Sequence, residues 1–189
     1  GEREGDYQPQ GEIDDSYYPD GRHKPVPIPK YAYGLINIEG QFVAQFEYDG
    51  MLRMREGMAA VRRDGKCGFI DKAGKLAIEM EFAEVRSFSD GMAAVVRSPA
   101  KPGERPTRGY IDKRGQFVWT DRDGRFEELG DFIDGLARVR IGGKWGYMDK
   151  RFRMRVEPQM DDARDFAAGK AAVRVGNTWG FIDKRPHAV

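Results

Sequence analysis

Aspartate recurs in this chain at 71, 112, 149 and 183, each time closing a Gly-aromatic-Ile/Met phrase. Carboxylates at fixed places invite a general acid/base reading. Their recurrence argues against it: a catalytic pair is singular, whereas an aspartate that accepts backbone N–H groups in a turn repeats with the fold. Cys67 is the sole cysteine, which excludes a disulfide within the chain and an all-cysteine metal site. Neither His23 nor His187 is near it in sequence, so it reads as a small apolar filler rather than a nucleophile. Met51, Met54, Met58 and Met80 read as packing residues, not metal or haem ligands. Asp121 and Asp123 lack the further carboxylates that a calcium loop supplies and read as a plain turn. No dinucleotide-binding, phosphate-loop, zinc-protease or serine-elbow phrase occurs. The expectation is a non-enzymatic protein with no catalytic residue, no metal and no cofactor.

The elements that would carry these residues are set by repetition. Tyr33-Gly-Leu-Ile-Asn37, Cys67-Gly-Phe-Ile-Asp71, Arg108-Gly-Tyr-Ile-Asp112, Trp145-Gly-Tyr-Met-Asp149 and Trp179-Gly-Phe-Ile-Asp183 are five versions of one phrase, with glycines 34, 41, 37 and 34 residues apart. A second phrase, Gly-x-Ala-x-Val, begins at Gly57, Gly91, Gly135 and Gly169. It leads the first phrase by 11 residues in three units and by 18 where residues 98–108 carry an insertion. Counting back nine, six and three residues from those glycines gives Tyr48/Met51/Met54, Phe82/Val85/Phe88, Phe126/Leu129/Phe132 and Met160/Ala163/Phe166, all apolar or aromatic. Spacing by three suits a short helical turn, and an irregular connection with three anchors fits equally.

Met58–Arg63, the pair Asp64-Gly65 and Lys66–Asp71 read as a β-hairpin whose two-residue turn wants positive φ at both positions. That register sets Val61 opposite Gly68 and Ala59 opposite Ile70. One face then carries Ala59, Val61, Gly68 and Ile70, the other Ala60, Arg62, Cys67 and Phe69. A turn beginning at each recurrent Asp or Asn returns the chain through a third short strand, such as Lys75–Ile78 or Gln116–Trp119. The predicted class is all-β: repeats of about 34 residues, each a three-stranded antiparallel meander plus a short connecting turn, stacked as an open β-solenoid. A closed propeller-like ring is the alternative. The repeat domain runs over 31–185, after an arm at 1–30 and before a tail at 186–189.

Glycine, 24 of 189 residues, is thereby accounted for by turns and repeat phrases rather than by disorder. The formal net charge of +1 gives no overall reason to bind nucleic acid, and none is expected as a partner. It conceals a division, since residues 1–21 carry net −6 and the remainder +7. No run is long and apolar enough for a membrane span, and none reads as a signal peptide; the expectation is no transmembrane segment, with membrane association through a partner left open.

Lys144-Trp145-Gly146-Tyr147-Met148-Asp149 and Thr178-Trp179-Gly180-Phe181-Ile182-Asp183, in phase with Gly-x-Ala-x-Val, resemble the WG-repeat family of bacterial proteins over roughly residues 33–185. Cys67, Arg108 and Tyr33 depart from its tryptophan. The resemblance implies a repeat fold with a binding or structural role, and it carries no catalytic residues. The functional expectation is a protein-interaction module or structural subunit of a larger assembly. Its contact candidates are Tyr7, Tyr17, Tyr18, Asp14 and Asp15 of the acidic arm, packing on the basic body or on a neighbouring subunit. Arg97, Lys101, Arg105 and Arg108, which frame the insertion, are further candidates. The alternative is a module for carbohydrate or cell-envelope polymer, using Trp119, Trp145 and Trp179 as ring platforms.

Overall fold

Residues 32–184 are described by the computed structural model, and they belong to a single compact unit. They contain sixteen strands and no helix, and no sheet closes into a barrel. The order is β1 (Tyr33–Ile36), β2 (Phe42–Tyr48), β3 (Gly50–Met51), β4 (Met58–Arg63), β5 (Lys66–Asp71), β6 (Leu76–Val85), β7 (Ala93–Arg97) and β8 (Thr107–Ile111). There follow β9 (Phe117–Thr120), β10 (Glu128–Ile133), β11 (Leu136–Ile141), β12 (Lys144–Asp149), β13 (Met154–Met160), β14 (Asp162–Ala163), β15 (Lys170–Val175) and β16 (Thr178–Asp183). All pairings are antiparallel, in sheets β1–β2, β3 through β9, β10 through β13, and β14 through β16.

The hairpin register is the one the sequence dictates. Val61 faces Gly68 and Ala59 faces Ile70, and the same pairing recurs as Val139 with Gly146 and Val173 with Gly180. Asp64 and Gly65 have φ of 53° and 74°, Gly142 and Gly143 58° and 75°, so both turns use the left-handed region at both positions. The recurrent acids are turn formers: Asp71 Oδ1 accepts the N–H groups of Ala73 and Lys75 at 2.8 and 3.0 Å, and Asn37, Asp112 and Asp149 repeat the arrangement.

The connecting segment is the irregular connection with three anchors rather than the short helical turn. It is largely extended and adds a strand to the outer edge of each Gly-x-Ala-x-Val strand, as β3, the end of β6, β10 and β14. A spacing of three would place successive side chains on opposite faces of a regular strand. Register irregularities between Phe82 and Glu84, and between Leu129 and Phe132, restore them to one side.

Each internal unit buries its two faces against different neighbours. Ala59, Val61 and Ile70 pack with Tyr48 and, at the margin, Leu35, Met51 and Met54. The opposite face, Ala60, Cys67 and Phe69, joins Phe88, Ala93, Val95 and Ile111 of the next unit. Ala94 and Tyr110 then meet Phe126, Leu129 and Phe132, and Tyr147 meets Met160, Ala163 and Phe166. The core is thus a series of layers between units, as expected of an array in which no meander can bury both faces alone.

Candidate functional site

Two sets of hydrogen bonds hold the layers in register. The residue before each Gly-x-Ala-x-Val phrase is left-handed: Glu56, Asp90, Asp134 and Ala168 have φ of 50°, 50°, 54° and 51°. The carboxylates of the first three reach forward. Glu56 accepts the N–H of Gly91 at 3.1 Å, Asp90 that of Gly135 at 2.7 Å and Asp134 that of Gly169 at 3.0 Å. The lysines after Asp112, Asp149 and Asp183 reach back to the same residues: Lys113 Nζ donates to the Glu56 carbonyl at 2.9 Å, Lys150 to that of Asp90 at 2.6 Å, and Lys184 to that of Asp134. Ala168 has no carboxylate with which to repeat this clamp.

Tyrosine makes the second set. Tyr110 Oη donates to the Gly130 carbonyl at 2.7 Å and Tyr147 Oη to the Arg164 carbonyl at 2.6 Å. Burial pushes the Tyr110 hydroxyl far above its ordinary pKa, and that of Tyr147 up to about 12, so both remain donors. The clamp was legible in principle, because an acid precedes three of the four phrase glycines. Only the fold shows that it bridges units.

Between the first two complete units and the third runs a groove of about 660 Å³ lined by Arg62, Cys67, Glu84, Arg86, Arg108 and Asp131 among others. The Cys67 thiol is buried, lies 3.6 Å from the Ala83 carbonyl and is pushed up in pKa by that burial, which opposes thiolate chemistry. Asp131 is also raised, first by desolvation and further by the Asp165 charge, with Arg86 opposing. Its Oδ1 is buried with no hydrogen-bond partner. Among the described residues no group of three or more His, Cys, Asp and Glu side chains is placed to hold a metal ion.

The residues singled out from sequence fall in different places. Tyr7, Asp14, Asp15, Tyr17 and Tyr18 lie outside the described residues, as do both histidines. Arg97 pairs with Glu81 and lies over the Phe82 and Phe117 rings at 5.4 and 4.9 Å, while Arg108 donates to the Phe126 carbonyl at 3.0 Å. Arg97 is committed to its own sheet, Arg108 ties β8 to the segment that leads into β10, and of the four candidates Lys101 and Arg105 are the exposed ones. Trp119 is packed against Phe126 and Phe152, with centroids at 5.2 and 5.6 Å. Trp145 is half-buried, with the Arg138 guanidinium 5.0 Å over its ring. Trp179 is 47% exposed and has Arg164 5.6 Å over its ring.

That last exposure belongs to a face. Trp179 and Phe181 on β16 are the counterparts of Cys67 and Phe69, and of Trp145 and Tyr147. Phe69 and Tyr147 are fully buried, whereas Phe181 is 77% exposed. The open edge of β16 is equally distinct. Across the internal units the corresponding strand is paired on its far side by β6, β9 or β13. Among the described residues β16 is paired by β15 alone. The glycine after the tryptophan position explains what that far strand requires. A Cβ on Gly68 would lie 2.6 Å from the Ile78 carbonyl oxygen, and one on Gly146 2.5 Å from that of Val156. Gly180 has nothing within 4 Å.

Layered antiparallel units built on an in-phase Gly-x-Ala-x-Val and Trp-Gly-aromatic pair define an all-β repeat protein. The family model of the WG containing repeat matches residues 33–67, 68–97, 123–145 and 145–179, and the chain belongs to that family. The unmatched stretch between them holds the insertion and Arg108, yet residues 107–120 still form β8 and β9. No curated protein sequence matches the chain significantly. Among solved structures, Kluyveromyces lactis Hsv2 aligns at 12% identity over 70% of this chain and 44% of that one, with a TM-score of 0.47. A crystal structure of a eukaryotic initiation factor aligns at 14% identity over 78% of this chain and 45% of that one, with a TM-score of 0.49. This chain spans less than half the length of either. No helix among the described residues is long and apolar enough to cross a membrane.

Proposed function

We propose that this WG-repeat chain is a non-enzymatic module that binds another protein, as an interaction module or a structural subunit. The observation that carries the reading is the exposed face of the last described unit, where Trp179 and Phe181 are 47% and 77% exposed while Phe69 and Tyr147, the internal counterparts of Phe181, are fully buried. Covering one such aromatic contributes about 1.5–3 kcal/mol, which is a strong incentive to recruit a surface. The turn-forming role of the recurrent aspartates and the buried Cys67 thiol support the absence of a catalytic role.

Co-purification of the tagged full chain from its source, beside a Trp179→Ser/Phe181→Ser variant of equal thermal stability, tests the reading. A protein recovered with the first and lost with the second is the expected result. Recovery of no protein at all, or of the same protein in equal yield with both, removes this face from the account. The acidic arm and the exposed Lys101 and Arg105 are candidate contacts of the same kind, and deletion of residues 1–30 in that assay measures the arm's share. Exposed Trp179 also keeps the sugar-binding alternative open at one residue. A saturable change in tryptophan fluorescence with soluble glycans, lost in Trp179→Ser, would favour that alternative.

A further inference from the structure

We propose that the open edge of β16 takes up an extended strand from another protein, antiparallel to it and apolar at alternate positions, so that the partner completes the last unit by strand addition. The inference rests on the protein-binding reading and specifies its mode. It starts from Gly180. In the internal units this glycine is required because the far strand lays a backbone carbonyl where a Cβ would stand, against Ile78 at Gly68 and against Val156 at Gly146. At Gly180 the space is empty and φ lies outside the left-handed region, so neither crowding nor backbone strain within the described structure calls for glycine. The cradle is present and its usual occupant is not among the described residues.

The internal units state what the occupant looks like. Ile70 pairs with Leu76, Phe69 with Ile78 and Cys67 with Phe82; Met148 pairs with Met154, Tyr147 with Val156 and Trp145 with Met160. Ile182, Phe181 and Trp179 offer the equivalent positions, with Phe181 and Trp179 exposed to receive apolar side chains. The clamp argues that the occupant is not a further WG unit stacked in the manner of the internal ones, as a second copy of this chain would provide. Such a unit needs a carboxylate for its Gly N–H, supplied elsewhere by Glu56, Asp90 and Asp134, and Ala168 supplies none. A single strand needs only the backbone edge.

The test uses the full chain and a fluorescein-labelled synthetic peptide of residues 150–163, the strand that pairs with β12. Its anisotropy should rise saturably with the wild-type chain, and a scrambled peptide should give no rise. Gly180→Ala should weaken binding at least tenfold while leaving the thermal midpoint and circular dichroism unchanged, because the added methyl enters open space in the free protein. No saturable rise up to about 1 mM peptide, or binding that Gly180→Ala leaves intact, overturns the proposal. Concentration-dependent self-association in light scattering that Gly180→Ala removes also overturns it, assigning the edge to a second copy. If the peptide fails while Trp179→Ser/Phe181→Ser still loses a co-purifying protein, strand addition falls and the binding module stands. If the peptide binds as expected and no protein co-purifies, it is the module reading that fails.

Discussion

At the scale of single residues, the fold's demands are sharpest where backbone approaches side chain. Gly146 lies under the Val156 carbonyl, so an added methyl must push β12 and β13 apart or force a bulge. Gly146→Ala is expected to lower stability by about 1–3 kcal/mol in urea unfolding, as overpacking does elsewhere. Gly180→Ala in the same assay should change nothing, and equal costs would contradict the reading of the open edge. Asp131 makes a pH-dependent case. Burial raises its carboxyl above the unfolded value, Asp165 adds to the rise and Arg86 opposes it. The folded state therefore holds the proton more tightly, and stability declines as pH rises from the ordinary carboxylate value through the raised one. Asp131→Asn removes that titration. The variant should melt above wild type at neutral pH and converge with it in acid, and a variant that melts lower at pH 7 would show that the carboxylate is stabilising.

At the scale of elements, the clamp couples neighbouring units through one charged residue. Asp90 sits at φ 50°, accepts the Gly135 N–H at 2.7 Å and offers its carbonyl to Lys150. Asp90→Ala keeps the unfavourable backbone and loses the acceptor, and its expected cost is about 1–2 kcal/mol. Asp90→Asn keeps an acceptor and a residue tolerant of the left-handed region, so it should cost less. Chemical denaturation of the two variants separates the hydrogen bond from the charge, and equal costs would place the weight on charge. The hairpins were legible from sequence because local chemistry decides them: Asp64-Gly65 and the period-two alternation set register without reference to the rest of the chain. The connector was not, because irregular pairing moves Phe82, Val85 and Phe88 to one side, and nothing local marks where a ladder slips. The open face was hidden for a related reason. Trp179-Gly180-Phe181 reads like every other copy of its phrase, and only the layer that follows decides whether those rings are buried.

At the scale of the whole molecule, stability is a sum over units and the junctions between them, so it should be distributed unevenly along the array. Units in the middle are sealed on both faces: Tyr147 and Met148 on β12 are 0% and 1% exposed, and β12 is paired on both edges by β11 and β13. The last described unit has one sealed face, through Ala171 and Val173, and one open face. It is joined to its predecessor by the Asp134–Gly169 bond, and among the described residues β16 has a ladder on one side only. Opening it breaks the one layer that holds Ala171 and Val173 against Tyr147 and Phe166, whereas opening β11 and β12 breaks two layers at once. Native-state hydrogen exchange should therefore show β15 and β16 opening at a lower free energy than the β12 amides. Addition of a strand that pairs with β16 should raise protection across β15 and β16 and leave β12 unchanged. Uniform protection along the array would mean that the units unfold as one cooperative block and that the open edge carries no local weakness for a partner to relieve.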